Sequence, residues 1–481
     1  MKFSQVGTIA LIGLSLGLYG CGGSDSKKAV KKVEDKVKEA VLDGIWQSQT
    51  HGFYLDINNE QFTAYDVTPS YCIKSLTLSA FEYEVIKQSS VFNQVDEIAV
   101  DFNDIKIVPI KFNRVEKLPE PCQSEHLLDH QSDVFNPLAT FNLFWETYQT
   151  HFAFNRFKRV DWVNDYQAYS NRISADATPP EVIMLIDEIL AELRDGHSSF
   201  VYAQGEDISY DPRGELEQSI YTSFYEQDDI DDVDDYFAIW MQAHHQTRAT
   251  YFEPSFATLA PHNGKLQLNM LQDNIAYLNV SDMHSIIGDA GLEDVEIADD
   301  VAAIHDIMNQ MIPTINGSQG LILDLRLNGG GHDHVAMQLF SHFIDAETVI
   351  GRKRIKTDDG FTEFFDIKVK PAPGERYLGP IVVLTSEYTA SAAEVFSLAL
   401  LARDKVTFVG ENTNGSFSDS LPKTLPNGWS FALSNEQYQD IKGNDYESIG
   451  IPVQHSAPLF APEKIEQGID AGIEQGIAIL K

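Results

Sequence analysis

Ile381-Val-Val-Leu-Thr385 is an unbroken apolar run of strand length, and Val395-Phe-Ser-Leu-Ala-Leu-Leu401 is an apolar run of helical character. A chain with this succession folds as a buried strand feeding a helix. The segment between them, Thr389-Ala-Ser-Ala-Ala-Glu394, must turn the corner. Ser391 stands there between alanines, with little steric cover. Backbone N–H groups point outward at such a junction, and the helix dipole favours negative charge. A nucleophile and its oxyanion hole suit that position. The plainer reading of the same residues is an N-cap serine in an ordinary crossover.

The pattern around this junction repeats. Ile275-Ala-Tyr-Leu-Asn-Val280 reads as a strand, residues 299–311 as a helix, Gly320-Leu-Ile-Leu-Asp-Leu325 as a strand and residues 334–344 as a helix. Such alternation predicts an α/β core with a largely parallel sheet over residues 266–481. Residues 137–265 read as a helical cap region. Phe141, Phe144, Trp145 and Tyr148 recur at helical spacing there, and Pro179-Pro180 opens a second amphipathic run. Residues 42–130 hold short β-rich runs broken by Asn, Asp and Gly. They predict a separate small all-β domain, a barrel or sandwich, whose expected strands include residues 82–86 and 105–110. A length of 481 residues suits such a division into several domains.

The N-terminus reads as a targeting segment. Lys2 gives a positive start, and residues 6–19 are apolar but too short to span a bilayer as a mature helix. The stretch ends in Leu18-Tyr19-Gly20-Cys21, which resembles the lipobox of bacterial lipoproteins. That resemblance implies removal of residues 1–20 and lipidation of Cys21. Residues 21–41, rich in Lys and Glu, then form a tether. Gly22 follows the cysteine in place of the aspartate that retains lipoproteins at the inner membrane. By the sorting rule of Gram-negative cells, the expected location is the periplasm, anchored at the outer membrane. Cys72 and Cys122 remain, and in an oxidising compartment they are expected to pair. The 35 basic and 72 acidic residues leave a net charge of −37, which repels a phosphate backbone and excludes nucleic-acid binding. The acidic run at residues 226–235 lacks the spacing of a calcium loop.

Three further segments carry chemistry. Asp324-Leu-Arg-Leu-Asn-Gly-Gly-Gly331 follows a strand, and its glycines allow a sharp turn that presents N–H groups. It has neither the lysine nor the spacing of a phosphate loop. Asp324 and Arg326 are expected to pair structurally. Leu193-Arg-Asp-Gly-His-Ser-Ser-Phe200 places a histidine in a loop after a helix, and Tyr446-Glu-Ser-Ile-Gly-Ile-Pro-Val453 reads as a strand with a turn.

Together these elements, over about residues 137–460, resemble the C-terminal processing (tail-specific) serine peptidases. The branch is that of the tricorn protease core and the retinoid-binding repeats of photoreceptor matrix. The resemblance implies a crotonase/ClpP-like ββα peptidase core and makes Ser391 the nucleophile. The processing-peptidase branch takes its base from a Gly-Lys-Gly loop, but Ser416 stands at the lysine position here. The tricorn-like branch uses a histidine from the preceding helical region and a glutamate beyond the nucleophile. His197 and Glu447 match these, although Gly196 replaces the serine that often precedes the histidine. The oxyanion hole would be the N–H groups of Gly330 or Gly329 and of Ala392. The resemblance thus implies a lipid-anchored periplasmic serine endopeptidase acting on peptides or unfolded proteins, without cofactor or metal. Its membrane contact would be the lipid anchor alone. The alternative is a catalytically inactive lipoprotein that binds peptide or apolar ligand on the same fold. The peptide-binding PDZ loop that related proteases carry is not found between residues 202 and 262.

Overall fold

The computed structural model describes residues 43–58, 61–78, 90–94, 96–100, 108–129, 135–154, 160–202, 205–227, 229–288 and 297–481. The signal segment, Cys21, the tether and the expected strand at residues 82–86 lie outside them, as do residues 105–107.

The strand Ile381–Thr385 (β17) is buried at every position, as is Leu321–Asp324 (β13). Side chains covered on both faces are what a parallel sheet between helical layers demands. The two strands pair in parallel, and the sheet runs β11-β12-β13-β17-β18-β22. Here β11 is Leu266–Leu271, β12 Ile275–Val280, β18 Val406–Gly410 and β22 His455–Ser456. Only the β11–β12 hairpin is antiparallel. One face packs on helices Ile297–Asn316, Asp333–Ser341 and Ala392–Leu401, with Ile304, Met308, Leu339 and Phe396 at its centre. The other face is covered by the C-terminal helix Ala471–Leu480 through Ile473 and Ile477. The described chain is therefore mixed α/β.

Residues 137–265 are not purely helical. Helices Pro137–His151 and Pro179–Leu193 form as expected, the latter with a capping box between Thr178 and Glu181. After them Ser199–Tyr202 (β9) and Glu206–Ser209 (β10) join two core strands, Ser420–Thr424 (β19) and Ser430–Ser434 (β20), in the order β10-β9-β20-β19. Phe200, Val201 and Tyr202 favour a pleated surface, and Phe200 buries its ring against Phe144 and Trp429. The cap is thus stitched into the core by backbone hydrogen bonds, and this fixes where the loop before β9 lies.

Among the described residues the N-terminal unit is a single eight-stranded sheet, ordered β5-β6-β7-β1-β2-β3-β4-β8. Its strands are Gly44–Ser48 (β1), Phe53–Asn58 (β2), Gln61–Val67 (β3), Cys72–Leu78 (β4), Ser90–Gln94 (β5), Glu97–Val100 (β6), Ile110–Val115 (β7) and Leu127–Asp129 (β8). Trp46, Leu55, Ile57, Phe62 and Phe112 alternate onto one buried face. Cys72 is bonded to Cys122, joining β4 to the short turn before β8. The unit is not separate from the rest. Ile73 shares a core with Phe141 and Phe431, and the buried Lys423 ammonium on β19 donates to the carbonyl of His51 (2.6 Å) and to the Asp66 carboxylate. A lysine withdrawn from water needs such partners, so the seam is polar and specific.

Candidate active site

Ser391 caps helix Ala392–Leu401 with φ 53° and ψ −125°. A non-glycine residue there is strained by about 1–3 kcal/mol, so the surroundings must hold it. They do so from two sides. The Ala390 N–H donates to the Asn328 carbonyl (3.1 Å), and the Thr389 hydroxyl donates to the Leu325 carbonyl (2.9 Å). The Ser391 N–H reaches the Ser416 carbonyl at 3.1 Å and the Glu394 carboxylate at 3.3 Å.

Gly330 faces this turn with φ +106°, and a β-carbon on it would lie 2.7 Å from Ser391 Cβ and 2.9 Å from the Ala392 nitrogen. Only glycine lets the two loops approach so closely. The Gly330 N–H itself donates to Asn328 Oδ1 at 2.8 Å. Ala392 occupies the first helical turn, where an N–H has no acceptor within its own helix. Gly329 is exposed, with open space on its side-chain side.

His197 comes from the loop between helix Pro179–Leu193 and β9. Its Nε2 lies 3.3 Å from Ser391 Oγ, across a sequence separation of 194. Arg194 ends the helix in the left-handed region (φ 47°), which turns the chain sharply. Asp195, buried, then gathers the loop. Its Oδ1 accepts from the His197 N–H (3.2 Å), the Ser198 hydroxyl (2.9 Å) and the Ser434 hydroxyl of β20 (2.7 Å). Gly196 is required by its neighbour, because a β-carbon there would fall 1.9 Å from Ser416 Oγ. The two departures from the family pattern, Gly196 and Ser416, therefore touch one another. The small residue at 196 lets the histidine loop lie down on the loop that carries Ser416.

Glu447 reaches the other two residues through that same loop. Its Oε2 accepts the N–H groups of Phe417 (3.0 Å) and Ser418 (3.2 Å), and the Ser416 carbonyl of this loop takes the Ser391 N–H. Residues 446–453 form the expected turn but not the expected strand, since Ser448 (φ 65°) and Gly450 (φ 71°) leave the extended region. The structure thus brings His197 directly onto Ser391 and puts Glu447 behind the loop that supports Ser391.

Sequence reasoning missed Glu394, Asp195 and Asn328. Glu394 is fully buried and accepts from the N–H groups of Gly415 (2.7 Å) and Ser416 (2.7 Å) as well as Ser391. Burial pushes its carboxyl up to about 7, against the pull of these bonds and of the Thr413 hydroxyl. The Ser-x-x-Glu spacing of a capping box was the available signal for it. Asp195 and Asn328 each precede a glycine and accept from the N–H two residues on, so Asp-Gly and Asn-Gly were the available turn signals for them.

Under the glycine loop, Asp324 and Arg326 pair as expected (2.6 Å), and Asp470 adds a second carboxylate to the same guanidinium (2.9 Å). Among the described residues, no group of three His, Cys, Asp or Glu side chains is placed to hold a metal ion.

Residues 274–455 match the model of peptidase family S41. A carboxy-terminal-processing protease of Bartonella bacilliformis is 30% identical over 163 residues, 34% of this chain and 36% of that protein. The carboxy-terminal processing protease CtpA of Bacillus subtilis is 27% identical over 198 residues, 41% of each. The chain thus spans about two fifths of the length of these relatives. Among solved structures, a putative peptidase from Parabacteroides merdae superposes with a TM-score of 0.57 at 22% identity, covering 72% of this chain and 97% of that one. Mature CPAF gives 0.51 at 12% identity, over 72% and 96%. These two likenesses are of fold. The family match includes Ser391, Glu447 and the glycine loop; His197 lies outside it.

Proposed function

We propose that this chain, whose residues 274–455 form a peptidase family S41 domain, is a serine peptidase that uses Ser391, His197 and Glu447. The observation that carries the reading is the 3.3 Å contact between His197 Nε2 and Ser391 Oγ. A decayed site has no reason to keep two residues from distant segments in register for proton transfer. As Ser391 Oγ attacks a peptide carbonyl, His197 takes the hydroxyl proton and then delivers it to the leaving amine. Water, deprotonated by the same imidazole, hydrolyses the acyl-enzyme and returns Ser391. The Ala392 N–H, with a backbone donor from Gly329 or Gly330, stabilises the oxyanion. Gly330 serves only by sharing the N–H that Asn328 Oδ1 now holds. Loss of one such donor costs about 3–4 kcal/mol in an oxyanion hole. Glu447 acts as a positioning residue that keeps residues 415–418 beneath Ser391. The substrates are peptides or unfolded proteins, by analogy with the processing proteases it resembles.

The test is labelling of the purified protein with a fluorophosphonate probe. The probe is expected to mark wild-type protein at Ser391 and to leave Ser391→Ala unmarked. Absence of labelling in correctly folded wild-type protein would shift the reading to the inactive ligand-binding lipoprotein.

The lipobox-like Leu18-Tyr19-Gly20-Cys21 and the Cys72–Cys122 bond support a lipid anchor in an oxidising periplasm. Cys21→Ser is expected to move the protein from the membrane fraction to the soluble periplasmic fraction. Retention on membranes by that variant would refute the anchor.

A further inference from the structure

The helical hairpin of residues 215–249 carries aromatic side chains that the reaction does not use. Helix Glu215–Tyr225 begins on the nucleophile loop, where the Glu387 carboxylate accepts from the N–H groups of Glu215 (3.0 Å) and Leu216 (2.9 Å). Its partner, helix Val233–Ala249, also touches that loop: the Phe237 ring meets Tyr388 at 6.2 Å. Along the hairpin the rings continue outward. Tyr236 meets Phe224 at 5.9 Å, and Phe224 meets Tyr225 at 5.2 Å. Tyr225 is 76% exposed, and Ile239, close to one turn beyond Tyr236, is 55% exposed. A helix of 11 residues spans about 16 Å, so this apolar track runs about that far from the loop of Glu387 and Tyr388 that precedes Ser391.

The track is bordered by acid at both ends. Glu226, Asp229, Asp231, Asp234 and Asp235 are exposed around its outer end. At the inner end Asp211 and Glu215 are exposed, while Glu387 is buried and paired with Arg213. Such a border repels anionic partners, including a second copy of a chain with net charge −37 and an anionic lipid surface.

We propose that this hairpin is the docking face for an unfolded, basic polypeptide segment of the substrate. Its aromatic or aliphatic side chains rest on Tyr225 and Ile239, and its lysines and arginines answer the acidic border. At about 3.3 Å per extended residue, a track of about 16 Å holds roughly five residues. The inference rests on the peptidase reading for the word substrate, but the surface is tested by binding alone.

The experiment uses the full chain with Ser391→Ala and an unstructured, fluorescent Lys/Phe-rich peptide, read by fluorescence anisotropy. A matched peptide with Glu in place of Lys is the control. The Lys/Phe peptide is expected to bind, and added salt is expected to weaken it. Combining Tyr225→Ser with Ile239→Ser is expected to raise its Kd about tenfold. Asp229→Asn with Asp231→Asn is the second variant and is expected to reduce the salt dependence. All four side chains are exposed, so the variants keep the fold. Failure of the Lys/Phe peptide to bind, equal binding by the Glu/Phe peptide, or equal Kd in the Tyr225/Ile239 variant overturns the proposal. So does self-association of the Ser391→Ala protein that Tyr225→Ser abolishes, since a second copy would then be the occupant. Fluorophosphonate labelling separates the two readings. Hairpin-dependent binding in a protein whose Ser391 is not labelled sinks the peptidase reading and keeps the docking face. Labelling with hairpin-independent binding does the reverse.

Discussion

Ser391→Ala is expected to lower kcat by about 10⁶, and His197→Ala by a similar factor, while the double variant loses no more than either single one. Non-additivity on that scale marks residues that act as one unit. A serine without its base is a poor nucleophile, and a base without the serine has nothing to activate. The 3.3 Å contact predicts that the two fail together. Steady-state kinetics on an unstructured polypeptide substrate checks this, with KM expected to change little. Thermal unfolding should show the fold retained in both variants, because neither side chain is a packing element of the core. Substantial activity in His197→Ala would sink the assignment and direct attention to a lysine. Lys423 is poorly suited to that part, being committed to the His51 carbonyl and the Asp66 carboxylate at the N-terminal seam.

The second large effect is on stability. Arg326→Met is expected to cost about 3–5 kcal/mol, because it strands two buried carboxylates. The guanidinium donates to Asp324 through Nε (3.0 Å) and Nη2 (2.6 Å) and to Asp470 through Nη1 (2.9 Å) and Nη2 (3.0 Å). Side-chain exposure is 3% for Arg326, 4% for Asp324 and 1% for Asp470, so water replaces none of these bonds. Tyr277 donates to Asp324 as well, and His244 lies 3.3 Å from Asp470. Burial by itself would raise both carboxyls, but Arg326 overcomes it and holds them below the usual range. A depressed folded pKa contributes stability that is present above the unfolded value, about 4, and is lost as pH falls toward the folded value. Without Arg326 the sign reverses, since burial then raises both groups and acid relieves them. The gap in denaturant-derived stability between wild type and Arg326→Met should therefore be widest near neutral pH and shrink in acid. A gap that widened in acid would show that the carboxylates do not depend on Arg326.

Much of the core was legible because its signals are local. β13 and β17 are continuous apolar runs, and a strand buried on both faces has little other composition open to it. The corner at Ser391 was legible from the strand before it and the helix after it. The Cys72–Cys122 bond followed from their being the two cysteines left beyond Cys21. The Asp324–Arg326 pair followed from residues two apart at one strand end.

What failed to show in the sequence depended on distant segments. The chain by itself determined the order of strands and helices, the glycine turn and the small residues around Ser391, because each is set by neighbours within a few positions. Only the tertiary structure decided that β9 would pair with β20, since an edge strand accepts any partner whose register buries its face. That pairing carries the His197 loop over Ser416, and Gly196 is the residue that lets it settle there. Asp470 as the second partner of Arg326 was likewise invisible, because it comes from the far end of the chain. The N-terminal strands were readable, but not that they form one sheet packed against the core. That arrangement brings Ile73 onto Phe141 and Phe431 and the buried Lys423 onto Asp66, long-range contacts that no local pattern records.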